Sequence, residues 1–436
     1  MRNSAPGSRR IRDSLGPSII IAASVVGTGE LIVAPRLGAS VGISALWLIV
    51  LGCVVKIFLQ EELGRHTILT GDTTLEAFNR VPGPAWRMSW VSWTWILLLI
   101  GGTVQMGGIL ATLVQSLQLL NVPGHALLLA AIMALVTAAI LIVGRYGMIE
   151  ATSGLLVAGF TGMTVIALVL LQRTELHLTI GSVLDGFRFR LPEKGLGDAV
   201  TVFGITGIGL AELLFYPYWC LEKGYARDLK PGQPRDPVVL AGRIRGMRLD
   251  ISVALVIYTF ATIAFFLLGA TILHDARNVP TGLDMIRSLS QMYTQTFGEW
   301  VFYVFVVGAF IVLFSTFFVA MGTWGRLCSD CVRLLLKRDS SFNARRAANW
   351  AIAALAPVYF VLCVLFSQTP QWLIVGGGAV QTLLLPVFGL GVLLIRGKRD
   401  DPFRPGRWYD WALYLSLAII TCAAAYAIWR LLRPSP

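Results

Sequence analysis

The chain has 436 residues, of which 56% are hydrophobic and only 14% charged, and its mean hydropathy is +0.71. Soluble domains run nearer half apolar and a quarter charged, so this composition excludes an ordinary soluble enzyme or binding module and puts the chain in lipid. The net charge of +12 would suit nucleic acid, but the distribution of that charge excludes such a partner.

A membrane helix needs about 20 mostly apolar residues. Eleven stretches qualify, at 17–40, 43–64, 88–119, 125–143, 148–172, 198–222, 249–273, 299–328, 348–367, 371–395 and 410–431, numbered here as segments 1 to 11. No alternating apolar and polar run suggests a β-barrel, so the expected fold class is an all-α integral membrane protein. The N-terminal tail and the connections after segments 2, 4, 6, 8 and 10, with Arg326 at the adjoining end of segment 8, carry 26 of the 36 Lys and Arg residues, and the opposite side, with Arg430 at the end of segment 11, carries 8. Arg36 and Lys56, inside apolar segments, complete the count. The positive-inside rule then predicts a multi-pass protein of the cell membrane with its N-terminus in the cytoplasm and its C-terminus outside. The basic surplus is a topology signal, and the partners it implies are the lipid bilayer and no nucleic acid.

Segment 1 reads SIIIAASVVGTGELIVAPRLGAS from Ser18 to Ser40, with Gly27, Thr28, Gly29 and Glu30 at its centre. Its length and the absence of a small-residue cleavage pattern predict no removable signal peptide. Gly costs a helix interior about 1 kcal/mol relative to Ala, and a charge at bilayer depth costs roughly 2.5 kcal/mol or more. In segment 2, Lys56 sits mid-helix in LGCVVKIFLQEE. It suits a counter-ion to Glu30 or Glu212, a partner for Glu61 or Glu62, or a side chain snorkelling to the cytoplasmic interface. Arg36 has a similar choice between the site and the outer headgroups.

Segment 6, DAVTVFGITGIGLAELLFYPYWC, repeats the oddity with Gly204, Gly207, Gly209, Glu212 and Pro217. Two glycine-interrupted segments at corresponding positions of two halves point to an inverted-repeat transporter whose helices unwind around a substrate site. The predicted organisation is a cytoplasmic tail (1–16), a first repeat of segments 1–5 (17–172), an external loop (173–197), an inverted second repeat of segments 6–10 (198–395), and a final cytoplasmic loop, helix and short external C-terminus (396–436). The connections 223–248 and 329–347 read as solvated, lipid-facing basic segments. Cys328 and Cys331 have CxxC spacing but no second ligand pair, which favours an ordinary reduced pair over a metal site. No nucleophile–base spacing or phosphate-loop context indicates an enzyme, and no cofactor is expected.

Further residues carry a resemblance. Segment 1 follows Gly16-Pro17, segment 2 ends FLQEELGRHTILTG, and segment 10 contains VQTLLLPVFGL with Gln381. In order and spacing these resemble the natural resistance-associated macrophage protein (NRAMP) metal transporters, from Gly16 through at least segment 10. The resemblance implies a LeuT-like fold with 11 transmembrane helices, an inverted 5+5 repeat, discontinuous helices 1 and 6, and transport by alternating access. It also puts Gln381 near the site. The departures fall on the chemistry. The family's Asp-Pro-Gly-Asn aligns with Gly27-Thr28-Gly29-Glu30, and its Met-Pro-His with Leu210-Ala211-Glu212. The acidic pair implicated in proton transfer is absent from GGTVQMGGIL, which offers Thr103 and Gln105. Carboxylate, carbonyl and water suit Mg²⁺ and Mn²⁺, whereas a thioether favours softer metals.

The expected substrate is therefore a divalent cation, Mg²⁺ or Mn²⁺, carried without the family's usual proton route. Its expected ligands are Glu30, Glu212 and Gln381, in a site framed by Gly27, Thr28, Gly29, Gly207, Gly209 and Lys56. The alternative is a small organic solute, cationic or amino-acid-like, with Phe215, Tyr216, Tyr218 and Trp219 available to stack on it. The chain is expected to act as a monomer.

Overall fold

The computed structural model describes residues 27, 29–144, 146–173, 178–190, 195–226, 236–337 and 343–432. Thr28 and the first half of segment 1 lie outside the described residues. The fold is all-helical apart from one two-residue antiparallel pair, β1 (Ala85–Trp86) with β2 (Met88–Ser89).

Segment 1 continues as a π-turn, Gly29–Val33, into α1 (Ala34–Val41). Segment 2 is two helices, α2 (Leu46–Val55) and α3 (Ile57–Thr70), interrupted at Lys56 alone. A short helix α4 (Thr74–Asn79) follows, started by a capping box in which Thr73 and Glu76 satisfy each other's backbone N–H groups. Segments 3, 4 and 5 are α5 (Trp90–Leu119), α6 (Ala126–Val143) and α7 (Tyr146–Leu171), and a short surface helix α8 (Ile180–Asp185) follows. Segment 6 is split into α9 (Leu196–Ile205) and α10 (Leu210–Glu222). Segment 7 is α11 (Pro237–Leu268), extended by a π-turn at Gly269–Leu273, and the outer connection after it folds into α12 (Met285–Phe297). Segments 8 to 11 are α13 (Val301–Leu336), α14 (Ala344–Leu365), α15 (Pro370–Lys398) and α16 (Arg407–Leu432). Among the described residues nine helical stretches are long and apolar enough to cross a membrane, with Gly29–Thr70 taken as one stretch.

The described parts of the two basic connections are largely helical. Asp236 accepts a hydrogen bond from the Val238 amide at 2.8 Å and, with Pro237 at the first helical position, starts α11 twelve residues before the apolar run begins. At the other connection α13 runs on to Leu336, and Asn343 caps α14 by accepting from the Arg346 amide. Helix-forming, capped sequence extends both helices past their apolar runs, so Arg243 and Arg248 find partners: the Tyr225 carbonyl at 2.7 Å and Glu61 at 2.5 Å.

The packing separates two groups. Segments 1, 2, 6 and 7 contact one another, segments 3, 4, 8 and 9 do likewise, and α15 lies against both α5 and α9. Each group thus takes the same pair of positions from both halves of the chain, as an inverted repeat requires. The contact of α1 with segment 7 is close enough to need glycine. A Cβ on Gly38 would stand 2.5 Å from the Phe266 carbonyl oxygen and 2.6 Å from the Ala270 amide.

Buried charges tie the neighbouring ends of segments 2, 10 and 11. Glu62 accepts from Arg396 at 3.0 Å and from Arg399 at 2.7 Å, Arg65 reaches Glu61 and Asp401, and Arg396 also pairs with Asp410. Nearby, burial alone would raise the Asp72 carboxyl, but His66 and Arg80 hold it below the usual carboxylate range. Its contribution to stability is therefore present above about pH 4 and is lost as pH falls through its folded value. Glu62→Ala leaves two buried guanidiniums without their shared anion and should destabilise by about 3–5 kcal/mol. Arg80→Ala, removing a side chain 64% exposed, should cost at most about 1 kcal/mol. Thermal unfolding of the purified protein in detergent compares the two.

Candidate functional site

The break in segment 6 follows from its glycines. In a continuing helix the Gly207 amide would donate to the Phe203 carbonyl, four residues earlier. Instead Thr206 is extended (φ −74°, ψ 149°) and Gly207 has φ +64°, a left-handed conformation that a side chain disfavours by about 1–2 kcal/mol. A Cβ at Gly207 would also stand 2.9 Å from the Cys53 Cα. Helix resumes at Leu210, with Gly209 extended (φ −77°, ψ 171°) at its N-cap.

The two halves of the severed bond go to side chains of opposite charge from segments 1 and 2. Glu30 Oε1 accepts from the Gly207 amide at 3.1 Å. The Lys56 Nζ donates to the Phe203 carbonyl at 2.9 Å, the Thr206 carbonyl at 2.7 Å and the Gly204 carbonyl at 3.4 Å. Both side chains are fully buried. Glu30 Oε1 also lies 3.0 Å from the Thr262 hydroxyl of α11, while its Oε2 is buried with no hydrogen-bond partner among the described residues. Gly29 lies against the Ile205 carbonyl, which a Cβ would approach to 2.9 Å, and Gly27 accepts from the Leu31 amide at 2.9 Å.

Across the break, Gln381 on α15 serves the start of α10. Its Oε1 accepts from the Ala211 amide at 3.0 Å, and its Nε2 donates to Gln105 of α5 at 2.8 Å. The Gln381 oxygen keeps one lone pair free. It borders Gly209, as does Glu212 Oε2. Glu212 stands in the first turn of α10, where the helix dipole favours a carboxylate. The sequence-predicted residues thus meet at one break in two clusters, Glu30 with Gly207 and Glu212 with Gln381 and Gly209. Among the described residues no three His, Cys, Asp or Glu side chains group as a metal site. The oxygens the break offers are two carboxylates, the Gln381 amide and backbone carbonyls.

Several expectations change. Lys56 bonds backbone carbonyls; Glu61 and Glu62, its expected alternatives, are held by arginines. Arg36 pairs with Asp198 at 2.8 Å and with the Pro280 carbonyl, tying α1 to the start of α9 instead of reaching headgroups. The aromatic side chains of α10 are engaged elsewhere: Phe215 is edge-on to Trp324 at 5.2 Å, Tyr218 donates to Asp330 at 2.9 Å, and Trp219 lies under the Arg326 guanidinium at 5.1 Å. Thr262 went unnoticed because a threonine in an apolar helix ordinarily bonds back to the carbonyl four residues earlier, as this one also does to Tyr258. Below α10 a cavity of about 810 Å³ is lined by Glu76, Tyr218, Glu222, Asp330, Arg333 and Arg345 among others.

A sequence model of the family described as natural resistance-associated macrophage protein-like matches residues 18–430. An uncharacterized protein of Pasteurella multocida (strain Pm70) is 23% identical over 351 residues, 79% of this chain and 76% of that protein. A crystal structure of the Eremococcus coleocola manganese transporter, in complex with an aromatic bis-isothiourea substituted compound, superposes with a TM-score of 0.68 at 15% identity, covering 100% of this chain and 91% of the other. The nucleobase-cation-symport-1 family transporter Mhp1 superposes at 0.61 with 14% identity, covering 98% and 96%. These likenesses give the LeuT-like fold.

Gly207→Ala should lower the unfolding temperature, because the added Cβ meets backbone in a left-handed residue. Gly242→Ala is the control: it lies in α11, a Cβ there meets nothing within 4 Å, and Ala should stabilise that helix by up to about 1 kcal/mol. Equal unfolding temperatures for the two variants would contradict the role given to Gly207.

Proposed function

The chain belongs to the natural resistance-associated macrophage protein-like family, and we propose that it carries a divalent metal cation, Mg²⁺ or Mn²⁺, through the break between α9 and α10 by alternating access. It is a multi-pass membrane transporter and not an enzyme. The observation that carries the site assignment is the Glu30 carboxylate, buried at the break with one oxygen that has no hydrogen-bond partner among the described residues. A buried carboxylate oxygen without a donor is costly unless a cation or proton joins it. Glu212 supplies the second charge and Gln381 a neutral oxygen.

The donor set is oxygen throughout, which favours hard cations. Mg²⁺ dehydrates reluctantly, so it would keep several waters in a site with so few protein ligands. The manganese transporter among the structural neighbours supports Mn²⁺ as the other candidate. Uncoupled transport is supported by segment 3, where Gln105 is committed to Gln381 and no acidic side chain stands in the GGTVQMGGIL stretch. The charge distribution supports a cytoplasmic N-terminus and an external C-terminus, and the protein is taken to act as a monomer. An organic cation is a weaker reading, because the α10 aromatics that would cage it have other partners.

Purified protein in proteoliposomes should show saturable uptake of Mg²⁺ or Mn²⁺ that falls at least about tenfold in Glu30→Gln and in Glu212→Gln, a loss of about 1.4 kcal/mol or more. An internal pH dye should report no proton entry during uptake. Absence of flux above empty vesicles for both ions, with folded and inserted protein, would sink the metal reading.

A further inference from the structure

Lys56 is the one buried charge near the site whose chemistry the metal reading leaves unused. Its three carbonyl partners come from the last turn of α9 and the extended link that leaves it. Phe203 and Gly204 lose the amides that would have bonded them in a continuing helix, and Thr206 belongs to the extended link. All three oxygens lie within 2.7–3.4 Å of a single point. They stand at the C-terminal end of α9, where the helix dipole adds partial negative charge. Water-free, unpaired carbonyls at membrane depth cost several kcal/mol each. One hydroxyl or one amide cannot serve three converging acceptors. An ammonium with three N–H donors can, and so can a small inorganic cation. The Phe203 ring adds a π face, its centroid 5.9 Å from the Nζ. The side chain enters through the single-residue interruption between α2 and α3, and the helix bends at the residue that supplies the ammonium.

We propose that the Lys56 ammonium is a tethered cation filling a backbone cation cradle at the break of segment 6, and that the emptied cradle takes a free monovalent cation, ammonium or potassium. Both ions hold oxygens at about the separation Lys56 does; sodium is smaller and would need the carbonyls to close in. With the tether in place the carrier needs no dissolved monovalent cation to hold segment 6 open. Lys56 is thus a positioning residue: it keeps the Gly207 amide turned to Glu30 by holding the carbonyl that amide would otherwise reclaim.

The test is thermal unfolding of the full-length purified protein, wild type and Lys56→Ala, in choline, sodium, potassium and ammonium chloride at equal ionic strength. Wild type should unfold at one temperature in all four. Lys56→Ala should be less stable in choline and recover by at least about 3 °C in ammonium or potassium, as linkage to a bound ion requires. Identical unfolding of Lys56→Ala in all four salts would overturn the proposal, as would a wild type that itself responds to potassium or ammonium. Should Lys56→Ala not fold, Lys56→Gln, which keeps donors and loses the charge, is read in the same way. A second measurement needs no variant: wild-type Mg²⁺ or Mn²⁺ flux should be unchanged when sodium and potassium are replaced by choline, and a fall of about twofold or more counts against the tether. The flux arm rests on the divalent-cation reading above, whereas the unfolding arm does not, so failure of either idea is seen separately.

Discussion

One missing hydrogen bond organises the centre of this protein. The Gly207 amide and the Phe203 carbonyl would pair in an unbroken helix, and here they stand apart, each held by a buried charge from another segment. Opening that bond inside a membrane is costly unless both halves are satisfied. Glu30 answers the donor and Lys56 answers the acceptor, so the break is stable only because segments 1 and 2 deliver opposite charges to opposite faces of it. This fixes the other local features. Gly207 must be glycine for its left-handed turn, segment 2 must be interrupted where its lysine leaves, and α10 must start again with its own N-terminal amides unmet. Gln381, from across the bundle, takes the Ala211 amide.

The same economy explains how so many charges are tolerated near lipid. The neighbouring ends of segments 2, 10 and 11 join three buried arginines, Arg65, Arg396 and Arg399, to four acids in one connected set, with Glu62 and Asp401 each shared between two cations. A single buried pair is weak evidence of stability. A set in which Glu62 answers two guanidiniums is different, because no member can move alone. The outer side has a simpler tie, Arg36 to Asp198, joining α1 to the start of α9.

The apolar character of the segments and the break in segment 6 were legible in the sequence because lipid imposes length and backbone satisfaction on every crossing. Glu30, Glu212 and the flanking glycines were legible for the same reason: a carboxylate beside glycine at mid-depth is too costly to be incidental. Partners were not legible. Lys56 has carboxylates five and six residues away, and nothing in a linear pattern shows that it bonds carbonyls of Phe203 and Thr206, 147 and 150 residues on. Thr262 was invisible for want of any local signal. Helix starts were less legible, because hydropathy ends where helices need not: Asp236 and Asn343 cap helices in polar sequence that apolar counting cannot register.

The distribution of ties bears on how such a carrier moves. Segment 6 breaks at the site, and the pair between Arg36 and Asp198 ties α1 to the start of its first half, α9. On the inner side Tyr218 of α10 donates to Asp330 of α13, which also holds Thr73 and Arg333, and Arg333 reaches Glu76 of α4. That chain joins α10 to the other group of segments, so inner motion of α10 has to give up a hydrogen bond that outer motion of α1 and α9 does not. Glu30 and Lys56 sit where the two halves of segment 6 meet. A cation that took the Glu30 oxygen left without a partner among the described residues would act on the same carboxylate that holds the Gly207 amide, and so on the break itself.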